Sequence, residues 1–356
     1  PIAVALGAIC GKSEYQLEVL KDVCPDYVAK GKSYISENRI SIRLKSGITE
    51  KLYIEVTVSA GDNTSRAVVS GGHTHFVLVE RNGETLYADD TCGNQTEADA
   101  EADSWLTLSK VYEFATTAPV EEIEFIDEAR RLNEAASDEA LRGSYGHELG
   151  KTLSRPLGRG IMGDSIFSHI ISATACACDA RMAGAKIPVM SNSGSGNQGI
   201  CATLPVVVFA RENHNTEEEL LRALMLSHLT AIYIKQSLGK LSALCGCVVA
   251  STGSSCGITY LMGGTFDQIS AAVKNMIANL TGMICDGAKP SCALKLASGV
   301  STAVLSAMLA MQQKCVTSCE GIIDDDVDKS IRNLTDIGRD AMVHTDAMIL
   351  RIMTSK

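Results

Sequence analysis

Residues 241 to 266 form a run without a charged side chain, bounded by Lys240 and Asp267. A run of this length suits a membrane-spanning helix, but Ser, Gly and Cys crowd it and keep its mean hydropathy modest. We therefore predict a central helix that is buried on all sides and that neighbouring helices approach closely over its Gly and Ser residues. A membrane span is the less favoured interpretation.

The composition supports helix packing through small residues. The chain of 356 residues contains 7 Pro and 4% aromatic residues, whereas Ala, Leu, Met and Gly are plentiful, which favours helices over a β-sandwich. Its length suits two domains. The 32 Lys and Arg residues against 42 Asp and Glu give a formal net charge of -10, which excludes a general binder of the phosphate backbone, since such proteins are basic. We expect neither nucleic acid nor a membrane as a partner.

Period-two patterning marks the first part of the chain. Residues 34 to 114 alternate apolar with polar side chains, are rich in β-branched residues and contain the turn signal Asn82-Gly83, which predicts antiparallel strands. The first ten residues have the pattern of a helix without an N-cap and begin at Pro1, so we expect the natural chain to begin upstream. We assign residues 1–118 to a small, N-terminally incomplete α/β region.

From Pro119 onward the period changes to that of helices. Thr216 and Glu219 form a capping box ahead of one helix, and the acidic residues 324 to 326 suit the start of another. We predict that residues 119–356 form a large, mostly helical domain. The predicted fold class is therefore α+β.

Thirteen cysteines are present, and their spacing fits neither a disulfide framework nor a zinc ribbon. Their number is odd, the chain is long and core-rich, and no Cys-x-x-Cys pair recurs. Taken singly, each is best interpreted as a small buried hydrophobe. The group Cys245, Cys247, Cys256, Cys285 and Cys292 differs, because it lies in the most apolar part of the helical domain near Gly-rich breaks, where soft thiolates suit iron–sulfur ligation. We expect a reducing, cytoplasmic compartment.

The segment SNSGSGNQG, residues 191 to 199, contains the pattern Gly-x-Gly-x-x-Gly. As a dinucleotide fingerprint it needs continuing βαβ alternation, whereas Pro205 interrupts soon afterwards and long helices follow. Two interpretations remain: a tight loop between buried helices, or a loop whose backbone N–H groups and short polar side chains bind a small anion such as a carboxylate. The predicted substrate-binding residues are Ser191, Asn192, Ser193, Gly194, Ser195, Gly196, Asn197 and Gln198.

Two histidines, His73 and His75, lie in the stretch GGHTHF, where the alternation places both on one face of a predicted strand. A solvated or hydrogen-bonded pair is the simple interpretation. Because histidine titrates near neutrality, either also suits a base that removes a proton from a substrate α-carbon. His147, His169 and His228 have no partner spacing and are interpreted as structural.

Four segments, in this order, resemble the bacterial and archaeal L-cysteine desulfidases: SNSGSGNQGICATLP, CGITYLMGG, GMICDGAKPSCALK and EGIIDDDVDKSIRNL. That family is related to the α domain of the iron–sulfur L-serine dehydratases. The similarity extends from ALGAICGK near the start to the C-terminus, so it covers essentially the whole chain.

The resemblance implies an oxygen-sensitive [4Fe–4S] cluster held by three cysteines, with one iron open to substrate. Cys245 and Cys285, the latter in the CDGAK motif, look like two of the ligands. The family's third ligand lies in an N-terminal Gly-Cys-Thr-Glu-Pro motif that is absent from this chain. Cys292 or Cys247 is then the candidate substitute, and the related serine dehydratases resemble a pattern that uses a cysteine like Cys292.

The resemblance also implies a reaction, the β-elimination that degrades L-cysteine to pyruvate, ammonia and sulfide. His73 or His75 is the predicted base, since the family has a similar Gly-Ser-His-Thr-Asn stretch. Lys289 or Lys295, or the polar loop of residues 191 to 198, is predicted to anchor the substrate carboxylate. Asp286 is predicted to orient a neighbouring group, and Gly287 to let the turn pass close to the cluster.

Three other functions remain open. One is an L-serine dehydratase, since serine and cysteine differ by one chalcogen atom. Another is a cluster-free member of the family that binds a small amino acid without turnover, and a third is a thiol redox or metal-storage protein. The expected partner in most of these is a small amino acid, and a homodimer is left open.

Overall fold

The computed structural model describes residues 1–48, 50, 52–72, 74–89, 106–239 and 241–355. Backbone packing divides the chain into two compact units, one formed by residues 1–96 with 347–356 and the other by residues 97–346. The predicted division at Ala118 and Pro119 falls between two helices of the second unit.

The first unit contains two helices and one antiparallel sheet. Its elements are α1 (Ile2–Cys10), a 3₁₀ segment (Ser13–Glu18), α2 (Pro25–Ser36), β1 (Tyr53–Ala60), β2 (Asn63–Ser70), β3 (Phe76–Arg81) and β4 (Glu84–Ala88). The strands are paired in chain order, each antiparallel to the next. Asn82 and Gly83 join β3 to β4 with φ angles of 52° and 82°, which is the two-residue hairpin turn that their pairing predicts.

The strand region is shorter than the sequence predicted. The first residues of the predicted strand region, 34 to 36, form the end of helix α2 instead. This helix begins at Pro25, and the missing proline N–H costs no hydrogen bond there, because the first N–H groups of a helix have no partner within it. At the other end, Leu108–Thr117 is a helix whose N-cap Thr107 accepts a hydrogen bond from the Lys110 N–H at 3.3 Å. Apolar alternation alone does not distinguish these segments from strands.

The regular secondary structure of the second unit is helical in the residues that the structure describes, apart from two isolated β-bridges. Its helices are α3 (Leu108–Thr117), α4 (Val120–Ile123), α5 (Asp127–Arg142), α6 (Leu149–Ser154), α7 (Pro156–Met162), α8 (Ile166–Met182), α9 (Gly196–Glu212), α10 (Glu217–Leu238), α11 (Gly246–Leu261), α12 (Phe266–Leu280), α13 (Cys292–Met311), α14 (Val327–Asp336) and the beginning of α15 (Val343–Thr354). The predicted capping box of Thr216 and Glu219 opens α10, and Asp326 caps α14. The α+β fold class is confirmed.

Helix α11 is the predicted central helix, and all its residues except the two near its ends, Gly246 and Tyr260, are buried. Most of its hydroxyl groups bond carbonyls of their own helix, as Thr252 does to Val248 O at 2.9 Å, so their burial leaves few unpaired groups. Its glycines admit neighbours: a Cβ on Gly253 would lie 2.2 Å from Ser227 O of α10. The prediction of close approach over small residues is confirmed.

Pro205 does not interrupt the segment that follows the glycine-rich loop, so this expectation was wrong. It lies inside α9, which continues to Glu212. The missing N–H removes one hydrogen bond, but fourteen residues of the helix around it, from Gly196 to Ala210, are buried against the bundle. Tertiary packing therefore maintains the helix across the proline.

By length and composition alone, one described helix, α13, is apolar enough to cross a membrane. Its inner face, including Leu296, Val300 and Ala307, is buried in the second unit. A core helix passes the same test of composition.

Substitution of Gly253 by Ala tests the close approach of α10 and α11. The added methyl group meets a backbone oxygen that cannot rotate away, so we expect a loss of about 1–3 kcal/mol in the free energy of unfolding. Chemical denaturation measures it. The matched control is Gly160→Ala in α7, where a Cβ meets nothing within 4 Å and helix propensity favours Ala by about 1 kcal/mol or less. Equal stability of the two variants would contradict the packing described.

Candidate functional site

Two loops that are distant in sequence pair as a short antiparallel bridge, Leu244 with Ile284. The Cys245 N–H donates to Met283 O at 2.9 Å, and the Cys285 N–H donates to Ala243 O at 2.6 Å. This pattern puts the side chains of Cys245 and Cys285 on the same face, diagonally across the bridge. Each thiol shifts the pKa of the other, so the two side chains are neighbours. The two predicted ligands therefore converge.

The pair is held in an environment that favours neutral thiols. The neighbouring thiol of Cys247 raises the pKa of the Cys245 thiol to about 12, and the neighbouring thiol of Cys245, together with burial, raises the pKa of Cys285. Two backbone groups act in the opposite direction: the N–H of Cys247 faces the Cys245 sulfur and that of Gly287 faces the Cys285 sulfur. Such N–H groups stabilise thiolates once a metal replaces the protons.

More thiols extend from this pair into the core. Cys247 lies next to both Cys245 and Cys201 of α9, whose thiols influence its pKa. Cys292, at the start of α13, instead donates its S–H towards Gly287 O at 3.7 Å. Among the described residues no group of three or more His, Cys, Asp or Glu side chains is arranged to hold a metal. The geometry thus joins two of the three predicted ligands and leaves the role of Cys292 a prediction.

The loop that carries Cys285 is braced by Asp286. Its carboxylate lies 2.5 Å from the ammonium of Lys289 and 2.5 Å from that of Lys295, and these hydrogen bonds lower its pKa to about 2. Lys295 also donates to Ile284 O at 2.9 Å. Gly287 follows with φ 90°, a conformation that favours glycine. Asp286 thus holds the two lysines of this loop and of the start of α13 in a double ion pair, which is the contact through which it would orient its neighbours.

The glycine-rich loop forms a tight turn that leads into α9. Asn192 and Ser195 exchange two backbone hydrogen bonds of 3.0 Å each, and between them Ser193 and Gly194 have φ angles of 49° and 78°. The Ser195 hydroxyl caps α9 by accepting from the Gln198 N–H at 3.4 Å. The eight predicted substrate-binding residues therefore do not all face one space, because some are exposed and others point into the protein.

Below the turn, His228 of α10 holds the loop in place. Its Nδ1 lies 3.2 Å from the Asn192 side-chain N–H₂, and its Nε2 lies 2.9 Å from the Thr203 hydroxyl. Thr203 donates to Gly199 O at 2.7 Å, so its oxygen accepts from His228, which fixes the neutral Nε2–H tautomer. Burial lowers the pKa of His228 to about 4. The structural role predicted for this histidine is confirmed, with the loop as its partner.

The polar loop and the thiol pair meet at Gln198. Its side chain packs on the backbone between Cys245 and Cys247, where a Cβ on Gly246 would lie 2.8 Å from Gln198 Cδ. Gln198 is 5% exposed, and its Oε1 has no hydrogen-bond partner in the described part of the chain. An unpaired buried acceptor is destabilising by itself, so it marks a place for a ligand N–H or O–H group.

Sequence reasoning missed Arg181, at the end of α8. Its guanidinium donates to Asn197 Oδ1 at 3.1 Å and lies against Gly196, where a Cβ would be 2.3 Å from Nε. The only sequence signal is its position three residues after Cys178, whose thiol faces Asn197 at 3.6 Å.

The predicted bases belong to the first unit. His73 lies outside the described residues. His75 is not in a strand, as the alternation predicted, but in the connection just before β3, because β2 already ends at Ser70. Its ring bonds Ser70 O and Asp89 Oδ2, each at 2.9 Å. The assignment of either histidine as a base stays a prediction.

Away from these residues, α5, α8 and α9 border a depression of about 380 Å³. His169 lies in its wall between Asp164 and Glu212, at 2.7 and 2.8 Å. None of the predicted site residues lines this depression.

The family model described as serine dehydratase alpha chain matches residues 14–351. The chain therefore belongs to the serine dehydratase α-chain family.

Its relatives are also similar over the whole chain. A UPF0597 protein of Bacteroides thetaiotaomicron is 66% identical over 356 residues, covering 100% of this chain and 82% of its own. The one from Phocaeicola vulgatus is 65% identical over 357 residues, with coverages of 100% and 82%. The one from Photobacterium profundum is 45% identical over 357 residues, with coverages of 100% and 83%.

The buried His228 predicts a pH dependence of stability. Its folded pKa of about 4 is below the unfolded value of about 6.5, so its contribution is complete above pH 6.5 and is lost as pH falls towards 4. We expect it to lower the free energy of unfolding by about 2 kcal/mol between pH 7 and pH 5. Urea denaturation at both pH values should show a smaller loss in His228→Gln than in the wild type, whereas the exposed His344→Gln keeps the full loss. Identical pH dependence in all three proteins would refute the assignment.

Proposed function

We propose that this member of the serine dehydratase α-chain family is an iron–sulfur-dependent lyase that converts L-cysteine and water to pyruvate, ammonia and hydrogen sulfide. The observation that supports the proposal most is the bridge between Leu244 and Ile284, which sets the thiols of Cys245 and Cys285 against each other beside the start of α11. Two cysteines that serve only to fill the core would not require a polar loop packed against them. Here Gln198 brings that loop into contact with the thiol segment.

The described residues fit two ligand positions of the implied [4Fe–4S] cluster. Cys245 and Cys285 supply adjacent sulfurs, each faced by a backbone N–H of the kind that surrounds cluster thiolates. Cys292 or Cys247 remains the proposed third ligand. When bound, such a cluster supplies an open iron that acts as a Lewis acid towards the substrate.

The chain's own residues would bind, orient and deprotonate the substrate. Gln198 Oε1 is a buried acceptor suited to a substrate ammonium group. Asp286 fixes the Cys285 loop through Lys289 and Lys295, so the thiols keep their positions during turnover. Removal of the α-proton by a base breaks the Cβ–S bond and releases sulfide. The aminoacrylate that forms is then hydrolysed to pyruvate and ammonia.

L-Serine is the alternative substrate. Loss of its β-hydroxyl by the same elimination gives the same aminoacrylate, and the family model bears the name of serine dehydratase. The unpaired Gln198 acceptor suits either amino acid equally, because both carry the same ammonium group. A comparison of the two substrates on one preparation decides between them.

The direct test is anaerobic reconstitution with iron and sulfide, followed by measurement of sulfide and pyruvate released from L-cysteine. We expect both products in equal amounts, together with the visible absorbance of a bound cluster. Cys245→Ser and Cys285→Ser should lose the absorbance and the activity, because an alcohol is a poor iron ligand at neutral pH.

The matched control is Cys319→Ser, which replaces an exposed thiol far along the chain from the pair. It should keep absorbance and activity. A reconstituted wild type that absorbs visible light but releases no product from either amino acid would contradict the lyase proposal. Colourless protein that binds L-serine or L-cysteine unchanged would instead identify an amino-acid-binding member of the family.

A further inference from the structure

We infer that Arg181 is the residue that binds the substrate carboxylate and thereby selects amino acids over simple amines. The inference rests on the proposed function, since it assigns a role within the same site. The sequence alone predicted Lys289, Lys295 or the polar loop for this task.

The two lysines are already engaged. Lys289 places its ammonium 2.5 Å from the Asp286 carboxylate and also donates to Asp286 O and Gly287 O at 3.0 and 3.1 Å, which uses all three of its N–H groups. Lys295 shares the same carboxylate and donates to Ile284 O. Their charge is neutralised by Asp286, and their hydrogen bonds hold the Cys285 loop. Neither is available to an incoming carboxylate without that loop opening.

Arg181, unlike these two lysines, has no carboxylate partner among the described residues. It is half-buried, and no carboxylate of the described residues forms an ion pair with it. Every other arginine between residues 106 and 346 has such a partner, for example Arg130 with Asp127 and Arg222 with Glu218. A guanidinium kept half-buried without an anion loses hydration and gains no compensating charge. Its place in the fold therefore suits an additional anion, which none of the described residues supplies.

The guanidinium of Arg181 also has N–H groups that no described contact uses. Of its five N–H groups, the described contacts use only those on Nη1, to Asn197 Oδ1 at 3.1 Å and Met182 Sδ at 3.8 Å. Bidentate binding of a carboxylate needs two parallel N–H groups, which a guanidinium offers and an ammonium does not. Asn197 thus orients the group, and three N–H groups of Arg181 have no partner among the described contacts.

The surroundings favour an anion at the same place. Arg181 lies against Gly196, the first residue of α9, where the helix dipole and unpaired N–H groups carry partial positive charge. Two positions along the helix, Gln198 presents its unpaired buried oxygen.

The test compares the wild type with Arg181→Gln on L-cysteine. Loss of a charge-assisted, bidentate contact should raise KM about 10- to 100-fold and leave kcat close to the wild-type value, because the carboxylate is bound in both ground and transition states. Arg181→Lys should lie between the two. An unchanged KM in Arg181→Gln would refute the inference.

Two competitive inhibitors distinguish a carboxylate contact from general loosening of the loop. L-Alanine has the amino and carboxylate groups without a leaving group, and cysteamine has the amine and thiol without a carboxylate. In Arg181→Gln the inhibition constant of L-alanine should rise together with KM, whereas that of cysteamine stays constant. If both weaken equally, Arg181 has only a structural role.

Gly196→Ala, which pushes the guanidinium aside, should act like Arg181→Gln, and the exposed Lys186→Gln should act like the wild type.

A binding experiment keeps this inference separate from the lyase proposal. L-Alanine should raise the melting temperature of the anaerobically reconstituted wild type, and cysteamine should do so less. The L-alanine effect should vanish in Arg181→Gln. If the wild type turns over neither L-cysteine nor L-serine, the lyase proposal fails, and these melting shifts alone decide the role of Arg181: their persistence in Arg181→Gln would refute it.

Discussion

The site depends on the burial of α11, a helix whose side chains are too small and too neutral to be stable anywhere except inside a bundle. Because its residues are short, α10 and α13 approach closely: Ser227 O of α10 lies over Gly253 on one side, and Gly299 of α13 lies against the Ser251 side chain on the other. Close packing of this kind leaves little freedom for the helix to shift. The residues at its start, Cys245 and Cys247, inherit that rigidity.

The site is thus assembled from helix ends rather than from a cleft between layers. α9 begins at Gly196, α11 begins beside Cys245, and α13 begins at Cys292, and the contacts of Gln198 and the thiols connect these three regions. Helix starts carry partial positive charge, so they favour thiolates, carboxylates and other anions. The single histidine beneath the loop is neutral and adds rigidity without adding charge.

The features that follow a period were predictable from the sequence. The buried α11, the capping box of Thr216 and the hairpin at Asn82 all depend on residues close together in the chain, and each is present. The apolar setting grouped Cys245 and Cys285 with three other cysteines, but only the family resemblance singled out these two as a pair, because no spacing rule connects two irregular loops. The position of His75 and the continuity of α9 through Pro205 were mispredicted, since in both cases tertiary packing or strand register overrides the local pattern.

Arg181 illustrates what remained hidden. In the sequence it is one cation among many at a helix end, where arginine is common for electrostatic reasons. Its significance appears only when all the other arginines of the unit are found paired. The sequence cannot show that Arg181 lacks an ion-pair partner among the described residues, because ion pairing depends on the three-dimensional arrangement.

The two segments of the bridge between Leu244 and Ile284 are packed against the protein to different extents. Leu244 is buried and packs against Gly338, whereas Ile284 is exposed and its loop is attached by two backbone hydrogen bonds and the ion pairs of Asp286. Segments with few apolar contacts open long before a domain unfolds. Of the two limbs, the one bearing Cys245 is therefore anchored by the core, whereas the one bearing Cys285 depends on polar contacts, so the ion pairs of Asp286 carry most of the burden of keeping the second sulfur in place.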